Sequence, residues 1–267
     1  MSDLDLDKKD QKRDTLDGGF AVVDRERLIE EETREVTPWY KHFIHVFTSP
    51  EKMMEECFNA DPPKGASVGI VGIILFTIIY MLLCFVNSEY KQVVYDQLRM
   101  QGLSETAIDS AYSLSMVTGS IGAVIGVFVS CLFGAILLQI IKVILRDKAK
   151  FSAIYKVLLL ATMVTYAVQC VDGLVCLAIG QFTTIFSLAP ILGVDMGTTS
   201  ALSVLANTIS LENLVNVLII VIGYKVITHT SYKKAVVAVV IYEVISIGVS
   251  LGIAAFTASL MQNLMWA

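Results

Sequence analysis

The sequence contains no G-x-x-x-x-G-K-S/T loop and no H-E-x-x-H helix, so the common nucleotide-binding and metalloprotease signatures are missing. Cysteine is sparse and unpaired by spacing: Cys57, Cys84, Cys131, Cys170 and Cys176 are odd in number and form no C-x-x-C. This pattern argues against a disulfide or zinc framework and reads them as small apolar fillers. Basic residues are outnumbered, 20 Lys plus Arg against 25 Asp plus Glu, and they are not clustered in the N-terminal tail. Nothing therefore points to nucleic acid as a partner. The first forty residues are charged and lack a continuous apolar core, so no secretory leader is expected and the first membrane span acts as its own insertion signal.

What the sequence has in quantity is apolar side chains. They make up 55% of the chain, and the mean hydropathy is +0.68. They fall in runs of the length that crosses a bilayer, which predicts an all-α polytopic membrane protein with five transmembrane helices. An interfacial amphipathic helix and a charged tail precede them. Residues 1–36 carry most of the acid excess, include Gly18 and Gly19, and are too polar to build a core; they are expected to form a mobile cytoplasmic tail. Residues 37–64 form the amphipathic segment. Ser49, Pro50 and Glu51 give a helix start, Met53, Met54, Cys57 and Phe58 share a face, and Asp61, Pro62 and Pro63 end it.

The membrane domain covers residues 65–262. Its spans are expected at about 66–86, 117–145, 152–182, 211–228 and 235–260. Residues 87–116 read as a polar connection with a helix start at Ser104–Glu105. The connection near 185–210 contains Pro190, Gly193 and Gly197 but no Lys or Arg, and reads either as a surface loop or as a partly inserted one. Gly122, Gly126, Ser130 and Gly134 recur every four residues in the second span, and Gly248 and Gly252 form a similar pair in the fifth. Small residues at this spacing allow close helix packing in lipid.

A basic hinge separates the second and third spans and contains Lys142, Arg146, Lys148, Lys150 and Lys156. Lys41, Lys52 and Lys64 precede the first span, Lys91 and Arg99 follow it, Lys225, Lys233 and Lys234 surround the last turn, and no base follows the third or fifth span. The positive-inside rule then predicts a cytoplasmic N-terminus, hinge and last turn, with the C-terminus outside. At the hinge each base close to anionic headgroups contributes about 1 kcal/mol.

Four segments in this order resemble the Yip family of Ypt/Rab-interacting proteins, in its prokaryotic five-span branch. They are VFTSPEKMMEE, GLSETAID, the hinge pattern RDKAKFSAIYKVLLL, and SLENLVNVLIIVIGYKVITHTSYKKA. The resemblance covers about residues 43–255. It departs from the family where Tyr166 is followed by AVQCVDG rather than by a nearby proline. It implies an integral membrane protein without a catalytic reaction or cofactor. A prokaryotic member is expected in the plasma membrane.

Ionisable residues within spans carry functional hypotheses by default. Glu243 lies near the middle of the fifth span, Lys225 lies near the end of the fourth, and Asp172 lies about 30 Å beyond the hinge at 1.5 Å per residue. The first reading is a structural Glu243–Lys225 ion pair; an ion or proton site and an acid held protonated remain alternatives. His42 and His45 share a helical face, but a zinc site needs at least three protein ligands. The sequence thus leads to a non-enzymatic scaffold or membrane-organising factor that recruits a protein partner through its N-terminal region or forms a homo-oligomer. The alternative is a small transporter or channel using Glu243 and Lys225, with Asp172 a further candidate.

Overall fold

The computed structural model describes residues 39–59, 65–100, 102–182, 185–193 and 201–265. The expectations for the 1–36 tail, for the Asp61–Pro63 stop, for Gly197 and for the side chain of His42 lie outside those residues. The described chain is α-helical, with an isolated antiparallel bridge between Ser187 and Ser210. Five helices are long and apolar enough to cross a membrane.

Helices α1 (Trp39–Thr48) and α2 (Pro50–Asn59) lead into α3 (Gly65–Val86), the first span. After α4 (Ser88–Met100), α5 runs over Glu105–Ile144 without a break. Its 40 residues amount to roughly 60 Å, about twice the hydrocarbon thickness. The polar stretch expected as a connection up to residue 116 is thus partly the first turns of the second span helix. Its hydroxyls do not end the helix because they donate back into it: Ser113 to Asp109 O at 3.0 Å, Thr118 to Leu114 O at 2.9 Å and Ser120 to Met116 O at 2.7 Å. These turns pair with α4. Leu98, Ile108 and Tyr112 are buried together, and Arg99 bridges Asp96 and Glu105 at 3.0 Å each.

Helix α6 (Phe151–Ile179) is the centre of the bundle. It packs against α3, α5 and α9 (Leu211–Thr228), and Ile154, Val157, Leu158, Leu159, Leu160 and Met163 are buried on it. It ends at Gly180, whose φ of 69° is the left-handed cap that glycine takes at least cost. Two glycines set the closest approaches to α6. A Cβ on Gly69 would stand 2.9 Å from Leu159 Cβ, and one on Gly223 would stand 2.5 Å from Val157 Cγ1. By contrast, Gly122, Gly126, Gly248 and Gly252 meet nothing within 4 Å, and of the two expected stripes only Gly134 is packed, under Tyr242 and Leu158.

The amphipathic α2 turns its apolar face inward. Met53, Met54 and Cys57 are buried in the same core as α6, and α2 packs on α9. The face expected to lie on the bilayer is therefore covered by protein. Burial pushes the Cys57 thiol up to about 11, which leaves it an unreactive thiol. By contrast, α10 (Tyr232–Met265) is mostly uncovered: only 11% of its span is buried inside the chain, against 44% for α6 and α9. Val240, Val244, Val249, Ile253 and Phe256 are exposed on it, an arrangement suited to lipid as the surrounding medium.

Two measurements check this packing. Gly69→Ala and Gly223→Ala are expected to destabilise the bundle by about 1–3 kcal/mol through overpacking, whereas Gly122→Ala gains up to roughly 1 kcal/mol of helix propensity. Thermal denaturation in detergent separates the two directions. For α2, Glu51 accepts from Lys225 and Tyr232, and the Lys225 hydrogen bond, followed by that of Tyr232, holds its carboxyl below the ordinary value of 4.5. A depressed carboxyl contributes stability above the unfolded value and loses it as pH falls through the folded one. Amide exchange in α2, corrected for intrinsic rates, should accelerate in that acid window, and in Glu51→Gln it should already be fast at neutral pH.

Candidate functional site

At the hinge end, the five bases expected to anchor the bundle surround an acid that the charge count overlooked. Arg146 takes φ 56°, turning the chain so that Asp147 points inward, where it is 9% exposed. Asp147 accepts from the Tyr224 hydroxyl at 2.9 Å and pairs with Lys234. Lys142 closes the turn by donating to Ala149 O at 3.0 Å. Arg146, Lys148 and Lys150 are exposed and Lys156 is half-buried.

Lys225 belongs to this end as well. Its partner is Glu51 on α2, and it also sits 4.2 Å from the centroid of the Tyr232 ring. The expected Lys225–Glu243 pair is not formed. Lys225 is three residues from the end of α9 whereas Glu243 is eleven residues into α10, which separates them by about 12 Å in depth.

Glu243 faces polar groups instead. It is hydrogen-bonded to the side chain of Asn213 and lines a cleft of about 630 Å³. Helix α6 contributes Thr165 and Gln169, and α8 (Ala201–Thr208) contributes Ser203, Asn207 and Thr208. Glu212, Asn213 and Asn216 come from α9, and Tyr242, Ser246 and Ser250 accompany Glu243 on α10. Asn216 and Tyr242 also line a second hollow of about 380 Å³, walled by Gly126 and Ser130 of α5 and by Thr162 and Tyr166 of α6. Half of the small-residue stripe in α5 thus opens space beside polar side chains.

Local sequence explains why these groups converge. Thr165 and Gln169 are four apart, Asn213 and Asn216 three apart, and Glu243, Ser246 and Ser250 three and four apart, so each set occupies one face of its helix. Ser210 caps α9 by accepting from Asn213 N at 3.2 Å, and Asn213 Nδ2 donates to Thr208 O at 3.1 Å. Helix α8 reaches the cleft because the segment before it is fastened to the start of α9: Leu211 N donates to Phe186 O at 2.8 Å, and Leu188 N to Ala206 O at 3.2 Å. Of the connection near 185–210, the described part α8 packs against α10. The short α7 (Ala189–Leu192) lies within that connection, and Leu202, Leu205 and Ile209 are exposed.

The cleft lining has two carboxylates and no Lys, Arg or His, so it is suited to a cation or a neutral polar molecule. Its α10 wall includes Ser250, the centre of Gly248-Val249-Ser250-Leu251-Gly252, which matches the letters of a G-x-S-x-G nucleophile elbow. That motif needs a strand-to-helix turn, whereas here it lies within an unbroken helix and Ser250 donates to Ser246 O at 2.9 Å. Asp172 lies at the end far from the hinge, 5% exposed and close enough to Glu212 for their charges to interact. Sequence reasoning sought charged residues inside spans and so reached Glu243 and Asp172. It passed over Gln169, Asn213, Asn216 and Ser246, whose helical spacing was the available signal.

Comparison with protein-family models, curated proteins and solved structures finds no match to this chain.

Water access to the cleft can be read with single cysteines in a Cys131→Ser background, since the native cysteines are all buried. Ser246→Cys and Ser250→Cys should react with a charged, membrane-impermeant thiol reagent in membranes. Val244→Cys, 65% exposed in the native chain on the opposite face of α10, should resist it because lipid covers it.

Proposed function

We propose that this chain is a multi-pass membrane protein that binds a cation or a small cationic solute in the cleft between α6, α8, α9 and α10 and moves it across the bilayer. The observation that carries the reading is the convergence of Glu243, Asn213, Asn216, Gln169 and Thr165 from three spans. Each polar side chain placed in a span costs free energy in hydrocarbon, and groups that line a common cavity offset that cost for one another. The mid-span Glu243 supplies the charge, the amides supply exchangeable oxygen ligands, and Gly126 with Ser130 keeps the adjoining hollow open. The basic hinge orients this arrangement with the Lys142–Lys156 end in the cytoplasm and the C-terminus outside, in the plasma membrane of a prokaryotic cell.

A second reading rests on a different observation. Gly122, Gly248 and Gly252 face open space, which supports a Yip-type scaffold that assembles through these faces with another protein or a second copy. In that reading the protein performs no chemistry, and the N-terminal region recruits the partner.

Reconstituted liposomes separate the two. Under an imposed cation gradient, the native protein should give a flux that Glu243→Gln lowers about tenfold or more, equivalent to roughly 1.4 kcal/mol or more of barrier. The variant must elute as a folded, monodisperse species. Equal flux in the two proteins, or none in either, removes the transport reading. Loss of oligomer in Gly248→Leu/Gly252→Leu membranes would favour the scaffold.

A further inference from the structure

The transport reading uses Glu243, but the most buried acids among the described residues lie beside the same cleft, at its end far from the hinge. Asp172 on α6 and Glu212 on α9 are each 5% exposed, and they come from helices that the sequence separates by a whole connection. Leu211, next to Glu212, donates to Phe186 O at 2.8 Å, and the Phe186 N–H donates to Asp172, which brings the two carboxylates near enough for their charges to interact. Asp172 Oδ1 and Glu212 Oε1 are both buried without a hydrogen-bond partner. Glu212 also lines the cleft, so the pair is reachable from its polar interior through that residue.

The surroundings are built for negative charge without cancelling it. Backbone N–H groups of Ile185 and Phe186 donate to Asp172, and Glu212 sits in the first turn of α9, where the helix dipole favours an anion. Among the described residues, Tyr80 of α3 faces Asp172 as well, with Cys84 of α3 and Cys176 of α6 beside it, and none of these is a base. Among the ion pairs of the described residues, the cations all sit with other acids. Two buried carboxylates without a compensating base repel each other strongly in a low dielectric. No set of three or more acidic, histidine or cysteine ligands is gathered among the described residues, which argues against a divalent site.

We infer that Asp172 and Glu212 together hold one exchangeable monovalent cation, a proton or Na⁺, at the end of the cleft far from the hinge. Asp172 Oδ1 and Glu212 Oε1, each without a hydrogen-bond partner, are the oxygens available to it. Its exchange with the cleft passes Glu212, and Asp172 stays behind as the fixed anion. The inference deepens the transport reading by naming a candidate coupling ion, and it is tested by occupancy rather than by flux, so either can fail alone.

The test is carboxyl labelling of the detergent-solubilised full chain with dicyclohexylcarbodiimide, mapped by peptide mass spectrometry. The reagent attacks a protonated carboxyl in an apolar site. If Na⁺ is the ligand, NaCl should lower labelling at Asp172 or Glu212 by roughly tenfold relative to choline chloride when Na⁺ is about ten times its dissociation constant. If a proton is the ligand, labelling should ignore Na⁺ and decline steadily as pH rises. Glu212→Gln should remove the Na⁺ response at Asp172, or move its pH-dependent loss of labelling to lower pH, and Asp172→Asn should do the same at Glu212, so one folded variant suffices; an unchanged response in either folded variant overturns the shared site. No labelling of either residue, or labelling insensitive to both Na⁺ and pH, overturns the inference.

Discussion

Hydrocarbon offers no hydrogen bond, so every polar side chain within these spans must be answered from inside the protein. The chain meets that constraint in three ways. Hydroxyls on α5 donate to carbonyls of their own helix, as Ser113, Thr118 and Ser120 do. The hinge acid Asp147 is enclosed by Tyr224 and Lys234. The amides and acids of α6, α9 and α10 turn toward one another and leave a polar cleft. The first two arrangements satisfy the groups locally. The third leaves oxygens without partners, at Glu212, Asn216 and Asp172, and this residue of unmet polarity gives the cleft its functional interest.

Helix α6 makes the cleft possible by holding α3 and α9 tightly. At Gly69 and Gly223 the neighbouring helices approach so closely that a methyl group would collide. Dispersion over such close contacts holds helices together where the hydrophobic effect between them is lost. With α3 and α9 packed on α6, α10 is left with little cover, and the space between α10 and α6 is where the polar groups gather. The glycine stripes that stand out in the sequence are mostly elsewhere. Gly126 opens a hollow, and Gly122, Gly248 and Gly252 face outward.

The hinge end shows how a charge count is refined by burial. Its five bases carry the orientation expected from the positive-inside rule, but Arg146, Lys148 and Lys150 are exposed and, among the described residues, fasten nothing to the bundle. The rigid element is Asp147, which joins the hinge to α9 and α10. Beside it Glu51 joins α2 to Lys225. Lys225 is thereby occupied at one end of the bundle and leaves Glu243 to the amides.

The sequence by itself determined the number and order of the long apolar helices and most of their limits, because a run of apolar residues is a local property with a length fixed by the bilayer; the start of α5 at Glu105 was not among them. It also identified Glu243 and Asp172 as costly residues. Only the tertiary structure decided which polar groups meet, because depth and rotation about each helix axis are set by packing against neighbours. That is why Lys225 joined Glu51, why the face of α2 turned to protein, and why Glu212, the second residue of α9, came to stand beside Asp172. Polarity along the chain was legible; the partner of each polar group depended on which faces Gly69 and Gly223 brought into contact with α6.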